Sequence, residues 1–374
     1  MRPLLRCAPF LVALCGPAPA PAASPTSPAP STATASGTAA EPAAATSPAA
    51  PTLLGVRKIW DAAPHNAFTD LVRFKGRWFC AFREGSSHVS ADGALRVLTS
   101  ADADSWESAA RVTSPDGDLR DAKLTVTPGG RLMLSGAVAL RQSVPPAAGE
   151  ARHRSMVWIS DDGKTWSDPR PVGADNDWVW RTTFRDGVGY GIGYRTVPPP
   201  GVRLYATRDE GRTYQPLVDR LAVAGRAGEH DLNFAADGSV VCLLRRDVPP
   251  AAEADALDPA ARAGLAVIGR SKPPYTEWEW KDAGVKIGGP AMIRLPDDRL
   301  LAVVRLHDKK VRTSLCWVDQ AAGRLTECLA LPSGGDCSYA GLAIGDDGRL
   351  RVSYYSSHEG KASIYLATIA LPRP

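Results

Sequence analysis

No stretch of this sequence approaches the roughly 18 consecutive apolar residues that a membrane-spanning helix needs. The longest early apolar run, Phe10–Leu14, is far shorter. Basic runs are missing too. The net charge is +4, and Arg2, Arg6 and Glu41 account for +1 of it, so the remaining chain carries only +3. Nucleic-acid binding by phosphate neutralisation has no basic patch to work with, and none is expected. No Cys-x-x-Cys pair or histidine cluster shows metal-ligand spacing, so neither a metal site nor a cofactor is expected. Helical periodicity is absent as well, which points to an all-β chain.

Bulky apolar side chains are lacking between Pro17 and Pro51, where every residue except Gly37 and Glu41 is Ala, Pro, Ser or Thr. Such a stretch cannot offset its own ordering entropy. It follows a short leader in which Arg2 and Arg6 precede the apolar run and small residues come after it, as in an export signal. The expected organisation is a signal peptide over 1–22, a disordered linker over 23–51 and a folded body over 52–374. Cys15 stands where a lipoprotein signal would place its acylated cysteine; a lipid anchor there and an ordinary cleaved leader are the alternatives. Either way the chain is expected to be exported, to the periplasm, the cell surface or the medium. Of seven cysteines, five lie in the body. Cys80 and Cys242 follow turn glycines at equal spacing and read as packing residues, while Cys328 and Cys337 could pair.

What the body does contain is a six-fold repeat. Each unit is an apolar strand, a tight turn and a second apolar strand, with turns centred on Gly76, Gly130, Gly187, Gly238, Asp298 and Gly348. A third strand follows most hairpins, as in SMVWISDDGKTW and VRLYATRDEGRTY. Units of three or four short strands describe a six-bladed β-propeller, and Val56–Trp60 could supply the last blade's missing strand and close the ring. A β-sandwich would not explain six equal units. The segment Thr207–Tyr214 has a Ser/Thr-x-Asp-x-Gly-x-Thr-aromatic pattern, abbreviated in Ser160–Trp166 and Ser100–Trp106. Asp102, Asp161 and Asp209 are read there as turn caps, not catalytic groups.

Hairpin strands are antiparallel, so the start of the first and the end of the second share one end of the propeller. Seven residues past each turn centre stand Arg83, Ala137, Tyr194, Arg245, Arg305 and Tyr355; nine before it stand Ala67, Asp121, Trp178, Glu229, Gly289 and Tyr339. One rim thus gathers three arginines, a glutamate, an aspartate and several aromatics. Three guanidiniums at one height suit a carboxylate clamp.

In this order and spacing Glu229, Arg245, Arg305 and Tyr339 resemble the sialidase (neuraminidase) superfamily, six-bladed propellers with Asp-box (BNR) repeats that hydrolyse terminal sialic acids. The endings GGDCSYAGL and SYYSSHEGKASIYLA are similar to those of bacterial exo-α-sialidase-like exported proteins. The family's first blade carries an arginine in an Arg-Ile-Pro motif; here the region reads His65-Asn-Ala-Phe-Thr-Asp70, and Arg83 is expected to supply the charge from the next strand. The resemblance implies a retaining glycoside hydrolase for sialic acid or a related acidic sugar, with Tyr339 as nucleophile and Glu229 as its base. Arg83, Arg245 and Arg305 would hold the substrate carboxylate, with Arg120, Asp121, Trp178, Tyr194 and Tyr355 also lining the substrate. Asp92, in the loop after the first hairpin, is the preferred general acid and Asp121 its competitor. The partner is a glycan or glycoconjugate, and a monomer is expected. Hydrolysis of another uronate-bearing glycan and non-catalytic glycan binding are the alternatives.

Overall fold

Apolar residues on both faces of most strands dictate sheets that are covered on both sides. In Arg77–Gly85, the side chains of Trp78, Cys80 and Phe82 pack toward the last repeat, and those of Phe79 and Ala81 pack toward the second. The computed structural model describes residues 49–142, 147 and 149–373. The expected leader and all but the last three residues of the expected linker lie outside them. Within the described residues, six antiparallel sheets form a six-bladed β-propeller. From the centre outward, each blade begins with an inner strand: His65–Phe74, Gly117–Val126, Asp177–Val179 continued by Thr183–Arg185, Arg226–Phe234, Ile287–Arg294 and Cys337–Ile344.

All six turn centres have positive φ, including Asp298 at 70°, where the repeat lacks its glycine. The ring closes as expected, over a longer stretch than Val56–Trp60. Thr52–Trp60 pairs antiparallel with Ser363–Ala370 and becomes the outer strand of blade 6. A two-ended chain thereby becomes a ring whose first and last segments share one sheet.

Six apolar clusters lie at the six junctions between blades. Leu95 and Leu119 meet between blades 1 and 2, and Val157 and Tyr205 between 2 and 3. Leu204 meets Leu244 between blades 3 and 4, Ile268 meets Val304 between 4 and 5, and Val303 meets Tyr354 between 5 and 6. Phe82 and Ile364 belong to the cluster that seals blade 6 against blade 1. Cys80, Cys242 and Cys316 are fully buried in these layers. The Cys328–Cys337 pairing that the sequence left open is not formed: both thiols are free, and Cys328 Sγ lies 3.4 Å from the Leu315 carbonyl.

The outer turns follow the capping logic with one change. Asp102 Oδ1 accepts from the Asp104 and Ser105 amides at 2.8 and 2.9 Å, and Asp209 Oδ1 from Thr213 at 2.9 Å. In the second blade the cap is Asp162, which accepts from Lys164 and Thr165 at 2.8 Å, while Asp161 is exposed. The cap stands two residues after the hydroxyl residue in all three turns, at Ser100/Asp102, Ser160/Asp162 and Thr207/Asp209, so the expected Asp161 is one residue too early. Tyr214, the aromatic of the full pattern, is buried between blades 2 and 3.

Blades 6 and 1 approach closely at Gly341, where a Cβ would stand 2.0 Å from the Leu71 amide nitrogen. Backbone cannot yield as a side-chain tip does, so Gly341→Ala should lower unfolding free energy by about 2–3 kcal/mol in chemical denaturation. Unchanged stability would show that this junction is not tightly packed.

Candidate functional site

The inner strands do not run straight to the rim. In blade 1 the register passes from Ala67↔Arg83 to Asp70↔Ala81, so Phe68 and Thr69 stand against Phe82 alone. The same two-against-one step falls at Asp121–Ala122, Gly228–Glu229, Gly289–Pro290 and Tyr339–Ala340 in blades 2, 4, 5 and 6. Blade 3 interrupts its inner strand at Trp180–Thr182. A bulge bends a strand and re-aims a side chain. Phe68, Asp121 and Tyr339 take φ of 64°, 55° and 52°, a region that side chains other than glycine enter only when their surroundings hold them there.

Tyr339 is held on all sides. Its carbonyl accepts from Thr69 Oγ1 at 2.8 Å, and its ring has edge contacts with Phe68 and Trp180 at centroid distances of 5.1 and 5.8 Å. Its hydroxyl donates to Glu229 Oε1 at 2.7 Å and accepts from Arg245 Nη1 at 2.9 Å. Arg245 Nη1 also donates to Glu229 Oε1 at 2.6 Å, which closes a three-membered contact, and Glu229 Oε2 accepts from the Gly289 amide at 2.8 Å. Burial alone would push the Glu229 carboxyl up. The charge and hydrogen bond of Arg245, with bonds from Tyr339 and Gly289, outweigh it and hold the carboxyl below its usual range. Burial and the Glu229 charge push the Tyr339 phenol well above its ordinary value. At rest, therefore, Glu229 is ionised and Tyr339 carries its proton.

Arg305 lies over the Tyr339 ring at 5.2 Å. It donates through Nε to the Cys337 carbonyl at 2.7 Å and through Nη2 to Asp336 Oδ1 and Tyr355 Oη, both at 2.8 Å. Tyr355 Oη donates to the same Asp336 oxygen at 2.5 Å. The expected contact residue Tyr355 is fully buried, so it fixes Asp336 from beneath rather than lining the opening. On the other oxygen of Asp336, His88 Nδ1 lies at 2.7 Å and His65 Nε2 at 3.5 Å. Burial raises the Asp336 carboxyl, but contacts with His65, His88, Tyr355 and Arg305 together hold it far below its usual range. His65, His88 and Asp336 also offer three metal-ligating atoms within 4.8 Å of one another, a grouping that sequence spacing did not show. The adjoining guanidinium of Arg305 opposes a dication there.

Two expected placements are corrected. Arg83 is fully buried, donating to Asp118 Oδ1 at 2.8 Å, to the Ser87 carbonyl at 2.8 Å and to Ser90 Oγ at 2.9 Å. Its charge is spent on the neighbouring blade and its own loop, so it is not an arm of a substrate clamp. Asp92 is exposed and turned back on its loop, accepting from the Ser86 amide at 3.1 Å and Ser86 Oγ at 3.0 Å. Hydrogen bonds from Ser90 and Ser86 lower its carboxyl to about 2, which leaves no proton for a leaving group near neutrality.

Asp121 has the opposite environment. It is buried at the bulge of blade 2, and desolvation raises its carboxyl to about 6 against the lowering charges of Arg120 and Lys123, with Glu229 adding to the rise. Arg120 is the second cation of this blade, 3.9 Å from Asp118 and 5.6 Å above the Phe68 ring. Trp178 is buried and stacks on Tyr194 with centroids 6.0 Å apart and planes 6° apart. Tyr194 keeps part of its surface exposed, and the charges of Asp121 and Glu229 help raise its phenol after burial. Below this layer Asp70 pairs with Arg181 at 3.2 Å, and Lys123 sits 4.7 Å from the Trp180 ring centroid.

Sequence reasoning missed Phe68, Asp336, Asp118 and also Asp247, whose Oδ1 accepts from Arg245 Nε and Nη2 at 3.0 and 2.7 Å. Phe68 lay one residue from the position read by offset, because the bulge is not visible in a count. Asp336 had a signal, its place three residues before Tyr339 in GGDCSYAGL.

No protein-family model matches the chain, and no curated protein matches it. Solved structures do. A protein of unknown function from Dyadobacter fermentans is 21% identical with a TM-score of 0.70, over 86% of this chain and 100% of its own. The α-L-arabinanase of Penicillium chrysogenum, complexed with arabinobiose, is 15% identical with a TM-score of 0.63, over 86% and 99%. The NanB sialidase of Streptococcus pneumoniae is 9% identical with a TM-score of 0.60, over 84% and 70%. At these identities the likeness is one of fold alone, and by fold this chain is a six-bladed β-propeller.

Proposed function

We propose that this chain is an exported, retaining glycoside hydrolase that removes a terminal sugar from a glycan. The observation that carries this reading is the closed contact among Tyr339, Glu229 and Arg245. Glycan binding alone has no need of a phenol paired to a buried carboxylate, so a non-catalytic propeller leaves that contact without a purpose. Sialidases and arabinanases among the structural neighbours share the fold, which supports a glycosidase without choosing the sugar.

In this mechanism Tyr339 Oη attacks the anomeric carbon while Glu229 takes the phenolic proton. Arg245, which contacts both oxygens, stabilises the charge as it moves between them. Asp121, protonated, gives its proton to the leaving oxygen. It then removes a proton from the water that attacks the glycosyl–tyrosine bond, and Tyr339 Oη recovers its proton from Glu229. Two displacements at one carbon retain its configuration. Two carboxyls whose surroundings drive their titrations apart, Glu229 downward and Asp121 to about 6, fit base and acid respectively. The sialidase likeness implies sialic acid or another acidic sugar. Support for that finer reading narrows to Arg245 and Arg305, since Arg83 is sealed off.

Glycan release by the purified chain should fall by about 10²–10⁴-fold in Tyr339→Phe, with the fold retained. Turnover equal to the parent in that variant would remove Tyr339 from the chemistry. Because the acid must be protonated, kcat/KM should decline tenfold per pH unit above about 6, the titration of Asp121 in the free enzyme. Asp121→Asn should lower the rate and abolish that alkaline limb, whereas an unchanged limb would assign it to another group. Fractionation of cells expressing the chain with and without residues 1–22 tests export, with cytoplasmic retention expected only for the truncated form.

A further inference from the structure

The arginines at this rim are already occupied by carboxylates of the chain itself. Arg245 donates Nε and Nη2 to Asp247 Oδ1 at 3.0 and 2.7 Å, and Nη1 to Glu229 at 2.6 Å. One cation thus faces two carboxylates. Arg305 faces Asp336 at 2.8 Å, and Arg83 faces Asp118 at 2.8 Å. The fourth guanidinium, Arg120, has Asp118 Oδ2 at 3.9 Å from its Nη1. Four guanidiniums meet four ionised carboxylates, Asp118, Glu229, Asp247 and Asp336, so none of the four is left without a counter-charge for an anionic ligand to replace.

Geometry adds to the charge count. Asp336 presents one oxygen to Arg305 and Tyr355 and the other to His65 and His88, the set of donors a bound substrate carboxylate would take. Where the resemblance expects a first-blade arginine, the bulge delivers the apolar ring of Phe68, packed 5.1 Å from Tyr339 and 5.3 Å from Tyr355. An incoming carboxylate would meet that ring on one side and the charge of Asp336 on the other. Removing a carboxylate from water without a free cation is strongly unfavourable.

The geometry points to Asp336 as a built-in occupant of the anion site, a specificity-determining residue that with Phe68 restricts the sugar against Tyr339 to one without a carboxylate. The inference rests on the reading of Tyr339 and Glu229 as the hydrolytic centre, but it is tested by binding, which needs no turnover. Sialic acid and glucuronic acid are each compared with their methyl esters, which differ only in the charge removed. Saturation-transfer NMR titrations follow the full chain, Asp336→Asn and Asp247→Asn. The second variant alters an exposed side chain and serves if the first fails to fold.

For the parent chain, each acid should bind about tenfold more weakly than its ester, or not at all. In either variant the acids should gain about tenfold, because a guanidinium has been released. An acid bound more tightly than its ester by the parent overturns the inference. So does an acid affinity that falls or stays unchanged in the folded variants, which would make Asp336 a group that orients Arg305 for an anionic substrate. Failure of the hydrolytic reading shows elsewhere, as turnover indifferent to Tyr339→Phe, so the two can be told apart.

Discussion

Inner strands that set two residues against one are the constraint on which this site depends. A regular strand ending at the rim would alternate its side chains between the two adjoining blades and send none toward the axis. The bulges at Phe68, Asp121, Glu229 and Tyr339 break that alternation at one height in the ring, so side chains from four blades gather around Tyr339. Positive φ at Phe68, Asp121 and Tyr339 costs of order 1 kcal/mol each, an outlay that neighbouring contacts must outweigh.

Those neighbouring contacts also hold the ring together. Thr69 of blade 1 binds the Tyr339 carbonyl of blade 6, Glu229 of blade 4 binds the Gly289 amide of blade 5, and Arg305 of blade 5 binds the Cys337 carbonyl of blade 6. Deeper in, Asp70 binds the Leu124 amide of blade 2, and Asp231 binds the Met292 amide of blade 5. Polar side chains near the axis therefore satisfy the backbone of the next blade, where the twisted sheets leave amides without ladder partners. The site and the closure of the propeller draw on the same residues.

Much of this was legible in the sequence, for definite reasons. The six hairpins showed because strand alternation and turn residues are local signals, and even Asp298 kept the left-handed turn that its five glycine counterparts imply. Tyr339, Glu229, Arg245 and Arg305 fell at one end because antiparallel pairing fixes height. Height does not fix direction, and there the reading failed. Arg83 has the same offset as Arg245, yet its counter-ion Asp118 comes from the next blade and draws it outward. Asp92 could not be separated from Asp121 by position, since the difference is burial, a property of the packed ring. The bulge at Phe68 moved the first blade's contribution by one residue, and two-residue periodicity makes that the difference between Ala67 and an aromatic wall.

The four rim arginines now have a different meaning. A count of cations at one height suggested a surface waiting for an anion, but charge near a low-dielectric opening is rarely left uncompensated while the site is empty. Three of the carboxylates that compensate it also do something specific. Glu229 sets the proton state of Tyr339, Asp118 ties blade 2 to blade 1, and Asp336 fixes Arg305 over the tyrosine ring. With its guanidinium held from the side by Asp336, Arg305 lies over the face of the Tyr339 ring, where, in the proposed mechanism, a cation lowers the energy of a phenolate as the proton leaves. On the proposed mechanism, an arginine expected to clamp a substrate carboxylate serves the tyrosine instead. What separates the two uses is whether the chain supplies the carboxylate.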